Sequence, residues 1–313
     1  MSIDMTPLFE PLTVGEKKLP NRIVMPPMAS CRDLRTAEGV DWYGGHAAGG
    51  VGLVIVEAKH VDAFGCEFTG ENLKPLVQAI HTEGALAAFQ LFPATFGKSA
   101  PAELSASEIE EIITQYKVAA RVCGEAGFDG VEPHGAHGYL LNQFFSPVQN
   151  QRTSSYGGSL RDRMRLAVDI VSAMRPICDA EEMLLLYRHT PMSEGDGIVE
   201  SVQLGEMLVG AGVDILDLSP SSIEAPGDRA APFQSLGVPL IAVGELDVVE
   251  RALEVLNEDR ADLVAIGRGL IADPDWPRKV EEGRYDEIVG CIRCDEKCHG
   301  NLRKGIPIAC TQW

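Results

Sequence analysis

An eight-stranded parallel (β/α)8 barrel, the TIM-barrel arrangement of the α/β class, is the fold this sequence predicts, and three observations predict it. Short apolar runs recur eight times, helix-periodic segments lie between them, and glycine-bearing loops follow the last two runs. The runs are Arg22–Met25, Gly52–Glu57, Ala85–Leu91, Gly127–Glu132, Met183–Arg188, Val213–Leu218, Val238–Val243 and Asp262–Ile266. They read as continuous stretches of Val, Ile, Leu and Ala, the pattern of strands covered on both faces. A doubly wound open sheet is the alternative that shares these local signals.

The intervening segments are helical by periodicity. Ser107–Ala126 opens on a serine cap with Glu110 three residues on, and Ser159–Cys178 and Ser201–Ala211 repeat the pattern. After the seventh run comes Gly244-Glu245-Leu246, and after the eighth Gly267-Arg268-Gly269. In a barrel these are the loops that favour phosphate, through backbone N–H groups and here one guanidinium. From Cys291 the composition changes, so a barrel is expected over residues 1–285 and a cysteine-rich metal-binding segment over 286–313.

At 313 residues the chain is long enough for one large core. Its net charge of −19 argues against nucleic acid and anionic membranes as partners. The N-terminus has no basic region followed by an apolar stretch, and no run of apolar residues could span a bilayer, so a cytoplasmic protein is expected. In that reducing setting Cys31, Cys66, Cys123 and Cys178 are expected as free, buried thiols.

The densest chemical signal is Glu132-Pro133-His134-Gly135-Ala136-His137-Gly138-Tyr139, set where a strand runs out. Two imidazoles three residues apart, with glycines relaxing the backbone, can turn toward one oxygen and stabilise charge developing on it. Tyr139, a phenol protonated at neutral pH, can deliver a proton to a carbanion or enolate. Metal ligation or an ordinary loop is the plainer interpretation of such a pair. The second signal is Cys291-x2-Cys294-x3-Cys298-x11-Cys310. Four thiolates suit zinc or an iron–sulfur cluster, and the solitary last cysteine, unlike paired zinc knuckles, favours the cluster.

The segment from Gly127 to Arg163, GFDGVEPHGAHGYLLNQFFSPVQNQRTSSYGGSLRDR, resembles the signature of the old yellow enzymes, and the similarity extends over essentially the entire chain. The cysteine spacing further resembles the branch containing 2,4-dienoyl-CoA reductase, trimethylamine dehydrogenase and 2-enoate reductase, whose barrels carry a 4Fe-4S cluster. The resemblance implies a flavoprotein with FMN across the strand ends, Pro27, Met28, Ala29 and Ala58 passing the flavin, Gln90 bonding its pyrimidine and Arg188 beside N1. It assigns Gly244, Gly267 and Arg268 to the phosphate, His134 and His137 to a substrate oxygen, Tyr139 to proton donation, and the four tail cysteines to the cluster. Asn150, Arg152, Tyr156, Gly157, Gly158 and Arg163 belong to the same signature but suit a scaffold role.

The implied enzyme is an ene-reductase that passes hydride from reduced FMN to an alkene conjugated to a carbonyl or acyl thioester, with the cluster as relay. An amine dehydrogenase and a zinc-stapled non-catalytic subunit are the alternatives. Cluster-bearing relatives continue into flavodoxin-like and dinucleotide-binding domains, and no G-x-G-x-x-G follows a strand here. Three alternatives follow: electrons arrive from a separate reductase subunit, NAD(P)H reaches the FMN directly, or the sequence is a truncated piece of a longer chain; the barrel is expected to be a homo-oligomer. Phe92-Pro93-Ala94-Thr95 replaces the usual histidine-containing stretch, Ala29 a threonine or cysteine, and Ser154 an acidic residue.

Overall fold

The structure is a computed structural model that describes residues 4–95, 97–191, 197–220 and 229–313. A short antiparallel hairpin comes first, β1 (Leu12–Val14) and β2 (Lys17–Leu19). Eight strands then close a barrel: β3 (Ile23–Met25), β4 (Leu53–His60), β5 (Leu86–Phe92), β6 (Gly130–Gly135), β7 (Leu184–His189), β8 (Ile215–Leu218), β9 (Leu240–Val243) and β10 (Leu263–Ala265). Every pairing around the barrel is parallel, β10 returning to β3, so the open-sheet alternative is excluded.

Alternation along each strand divides the core in two. Leu53 and Ile55, Leu184 and Leu186, Ile215, Ile241 and Leu263 pack together with Val14 and Leu19 of the hairpin. Their neighbours Val54, Val56, Phe89, Val131, Leu185 and Leu216 pack in the larger cluster with the surrounding helices. Both faces of each strand are thus apolar, which is why the sequence shows runs rather than alternation. The hairpin, which the sequence did not suggest, closes the N-terminal end, where Lys17 Nζ donates to Asp129 Oδ1 at 2.9 Å just ahead of β6. Truncating an inward residue such as Ile241, wholly buried, to alanine would cost about 2–5 kcal/mol.

Several boundaries differ from expectation. The long helix is Ala106–Ala126, capped by Ser105 rather than Ser107, with Glu108 closing the capping box and Gly127 ending it at φ 93°. The others span Leu160–Ala180, capped by Ser159, and Gly197–Gly210. Strand β6 runs to Gly135, so His134 lies on the strand rather than beyond it. Cys123 and Cys178 are buried as expected, but Cys31 is half-buried and Cys66 exposed. Among the described residues no helix is long and apolar enough to cross a membrane.

Candidate active site at the C-terminal rim

Parallel closure brings the C-terminal ends of all eight strands to one rim. Pro27, Met28 and Ala29 follow β3, Ala58 lies in β4, Gln90 in β5, His134 in β6, Arg188 in β7, Gly244 follows β9 and Gly267 follows β10. The register pairs Gln90 with Glu132 and His134 with Arg188.

His137 sits in a left-handed conformation, φ 60°, in the turn after β6, and its backbone N–H donates to Thr190 Oγ1 at 3.0 Å. Gly135 must lack a side chain, because a Cβ there would fall 2.1 Å from the Tyr187 hydroxyl. Tyr139 precedes the helix Leu140–Phe145 and is 48% exposed, with its ring edge-on to Phe92 at 4.8 Å and to His134 at 5.2 Å. Its ring thus stands at the surface beside the buried His134 imidazole.

The imidazoles form a chain. Ala136 N–H donates to His134 Nδ1 at 3.3 Å, which leaves the proton on Nε2. That N–H faces His137 Nδ1 at 3.3 Å, and His137 Nε2 in turn donates to Ser219 Oγ at 2.8 Å. Arg188 Nη2 also donates to Ser219 Oγ, at 3.1 Å. The two histidines therefore bond to each other and to Ser219, and holding one outside oxygen between them requires opening the His134–His137 contact. Burial first, then the Arg188 cation, pushes His134 down to about 3 and His137 to about 2, so both are neutral donors at pH 7.

Around them lie groups that carried no sequence assignment. Glu132 and Asp217 are fully buried acids, and Arg188 Nε is 3.2 Å from Asp217 Oδ2. An acid embedded in an apolar strand, as in Val131-Glu132-Pro133 or Leu216-Asp217-Leu218, was the available signal, since such charges are rarely buried without a task. Ser219 and Thr190 gave no signal at all. Asn150, Arg152 and Arg163 make scaffold contacts: Asn150 Nδ2 donates to the Phe144 and Tyr156 carbonyls, Arg152 to those of Pro101 and Leu104, and Arg163 to Glu200.

The backbone is open at the two glycines expected to take a phosphate. A Cβ at Gly267 would meet only Met28 Sδ at 3.5 Å and Pro26 Cγ at 3.7 Å, which leaves room for backbone approach, and Gly244 has φ 139°. Arg268 instead points its guanidinium to Asp295 Oδ1 at 3.1 Å, in the cysteine segment. There Cys291, Cys294, Cys298 and Cys310 all line one small cavity, together with Arg268 and Asp295. Among the described residues no three His, Cys, Asp or Glu side chains converge closely enough for a single metal ion.

Residues 7–104 and 94–287 match the NADH:flavin oxidoreductase / NADH oxidase family. A NADH oxidase of Thermoanaerobacter brockii is 34% identical over 97% of this chain and 55% of its own length. A cinnamate reductase of Clostridium sporogenes is 26% identical over 97% of this chain and 57% of its own. The chain thus spans about half the length of these curated relatives. The structure of morphinone reductase superposes with a TM-score of 0.77 at 28% identity, over 88% of this chain and 89% of that one. With its barrel closed and its signature segment on the rim, the chain belongs to the NADH:flavin oxidoreductase / NADH oxidase family, that of the old yellow enzymes.

Proposed function

We propose that the rim binds FMN and reduces an alkene conjugated to a carbonyl, with NADH or NADPH as electron source and a 4Fe-4S cluster in the tail as relay. The observation that carries this is the His134–His137 pair, neutral and hydrogen-bonded, beside Tyr139 and above the buried Arg188. Neutral imidazoles donate to an oxygen without presenting a competing positive charge, each donor contributing about 2.7–4 kcal/mol to a developing oxyanion. Tyr139 holds the proton that the α-carbon then receives. Gln90 and Arg188 would hold the flavin pyrimidine, Pro27, Met28, Ala29 and Ala58 its ring, and Gly244 and Gly267 its phosphate, with Arg268 shared between that phosphate and Asp295. When bound, the flavin supplies the hydride.

Cinnamate, the named substrate of one relative, is itself an alkene conjugated to a carboxyl group. For the tail, Cys291, Cys294, Cys298 and Cys310 line one cavity. The solitary last cysteine, unlike the paired knuckles of structural zinc sites, supports a cluster over mononuclear zinc. The division into a barrel over 1–285 and a cluster segment over 286–313 follows from this.

The test is an anaerobic spectrum of the FMN-supplied protein before and after reduction, followed by mixing the reduced protein with an α,β-unsaturated carbonyl compound and, separately, the oxidised protein with methylamines. Flavin and iron–sulfur bands that bleach on reduction, with the flavin band restored by the unsaturated compound and the oxidised band left unchanged by methylamines, are expected. A protein that retains no FMN, one not reoxidised by the unsaturated compound, or one bleached by methylamines sinks the proposal.

A further inference from the structure

Gln90, Glu132, Arg188 and Asp217 occupy four consecutive strands, β5 to β8, and the register sets Gln90 against Glu132 and Arg188 against Asp217. All four are buried, Glu132 and Asp217 completely. Gln90 Nε2 donates to Glu132 Oε1 at 2.7 Å, whereas Glu132 Oε2 has no hydrogen-bond partner among the described residues. Asp217 Oδ2 lies 3.2 Å from Arg188 Nε, yet neither Asp217 oxygen receives a hydrogen bond there. This layer beneath the rim therefore contains two carboxyl groups and one guanidinium. With both acids ionised, an uncompensated negative charge would be buried, at a cost of several kcal/mol. One proton cancels it.

We propose that Glu132 and Asp217 share one proton at neutral pH, so that Glu132 serves as a positioning residue that fixes the Gln90 amide and keeps the floor of the site uncharged. Burial, followed by the Asp217 charge, pushes Glu132 up to about 8, against the opposing pull of Arg188 and Gln90. Burial raises Asp217 as well, opposed by Arg188. The groups facing the pair are Gln90 from β5, Arg188 from β7 and, two residues along β6, His134, which is neutral. Losing the shared proton would place a full negative charge beside the Gln90 amide and draw Arg188 away from any anion bound above it.

The inference rests on the proposed function only in assigning Gln90 and Arg188 to the flavin, and its main measurement does not require the flavin. Infrared difference spectroscopy of the full chain, with and without FMN, should show a deuterium-sensitive carbonyl band of a protonated carboxylic acid at pH 7 that disappears above about pH 9. The band should vanish both in Glu132→Gln, which removes one sharer, and in Asp217→Asn, which removes the neighbouring charge and leaves Glu132 paired with Arg188. FMN should bind the wild type roughly tenfold more weakly above pH 9 than at pH 7, a difference of about 1.4 kcal/mol, and bind Glu132→Gln equally at both. A wild type without the band at pH 7, or a band surviving in either variant, overturns the proposal. If neither variant folds, the wild-type band and its loss with rising pH decide. Failure to bind FMN while the band is present counts against the proposed function instead.

Discussion

The rim and the cysteine segment hold their reactive groups by different means. At the rim, strand register sets Gln90, Glu132, His134, Arg188 and Asp217 in a buried layer, each placed by backbone pairing before any side chain acts. The cysteine segment has no strand and one four-residue helix, His299–Leu302. Arg293 and Asp295 adopt left-handed conformations, Cys294 is exposed, and Ile292 and Trp313 are 64% and 55% exposed. Side-chain ties fasten it to the barrel: Arg293 Nη2 to Asp247 at 2.6 Å, Arg32 Nη2 to the Ile308 carbonyl at 3.1 Å, and Trp313 Nε1 to the Ala272 carbonyl at 3.0 Å. One region is ordered by a core, whereas the other has almost none and depends on those ties and on whatever its thiolates bind.

The largest expected effect tests that contrast. If the tail holds the proposed cluster, chelating its iron or substituting Cys298→Ser should abolish bound iron and strip hydrogen-exchange protection from residues 289–313 while β4 to β7 keep theirs. Equal protection of the segment with and without metal would mean that the side-chain ties suffice. Next in size, Tyr139→Phe should lower alkene reduction by roughly 10²–10⁴-fold with FMN binding unchanged, as expected for loss of a general acid. Steady-state kinetics with one enone measures it, and an unaltered rate would assign the proton to water instead. Neither effect should cross over: the tail variant should leave FMN binding intact, and the rim variant should leave the iron in place.

The same contrast explains what the sequence made legible. All eight barrel strands were readable because burial on both faces leaves an apolar run that no other element mimics at that length. The hairpin was not, because its strands have three residues each and Lys17-Lys18 resembles a polar turn. The cap expected at Ser107 lies instead at Ser105, where reciprocal bonds with Glu108 close the capping box. The apolar run ends at Glu132, yet Pro133, which lacks a ladder N–H, pairs in register with Leu91 and the strand continues to Gly135. At the rim, the histidines and Tyr139 were visible as residues, but their bonding was not. The meeting of His137 with Ser219, 82 positions away, and of Arg188 with Asp217 depends on the barrel register, which periodicity leaves undetermined.

The smallest effect concerns acid stability and separates the two regions once more. His134 and His137 are held at about 3 and about 2 when folded, against about 6.5 when unfolded. Below pH 6.5 the unfolded chain takes up protons that the folded rim refuses, so the stabilisation from these groups is complete above about 6.5 and declines as pH falls toward 3. At pH 5.5 the loss is about 1.4 kcal/mol for each histidine. Glu132 works in the opposite sense: with its folded value raised to about 8, its contribution is present near pH 4.5 and lost as pH climbs toward 8. Because Glu132 offsets the histidines between pH 7.5 and 5.5, the informative quantity is a difference: urea unfolding at the two pH values, followed by a barrel probe, should show stability at pH 5.5 relative to pH 7.5 higher in His137→Asn than in wild type by about 1.4 kcal/mol. Cys298→Ser should show the wild-type pH dependence, because the titrating groups belong to the buried rim. If Cys298→Ser instead abolished the pH dependence, the two regions would unfold as one cooperative unit, and the separation between a core-ordered rim and a ligand-ordered tail would fail.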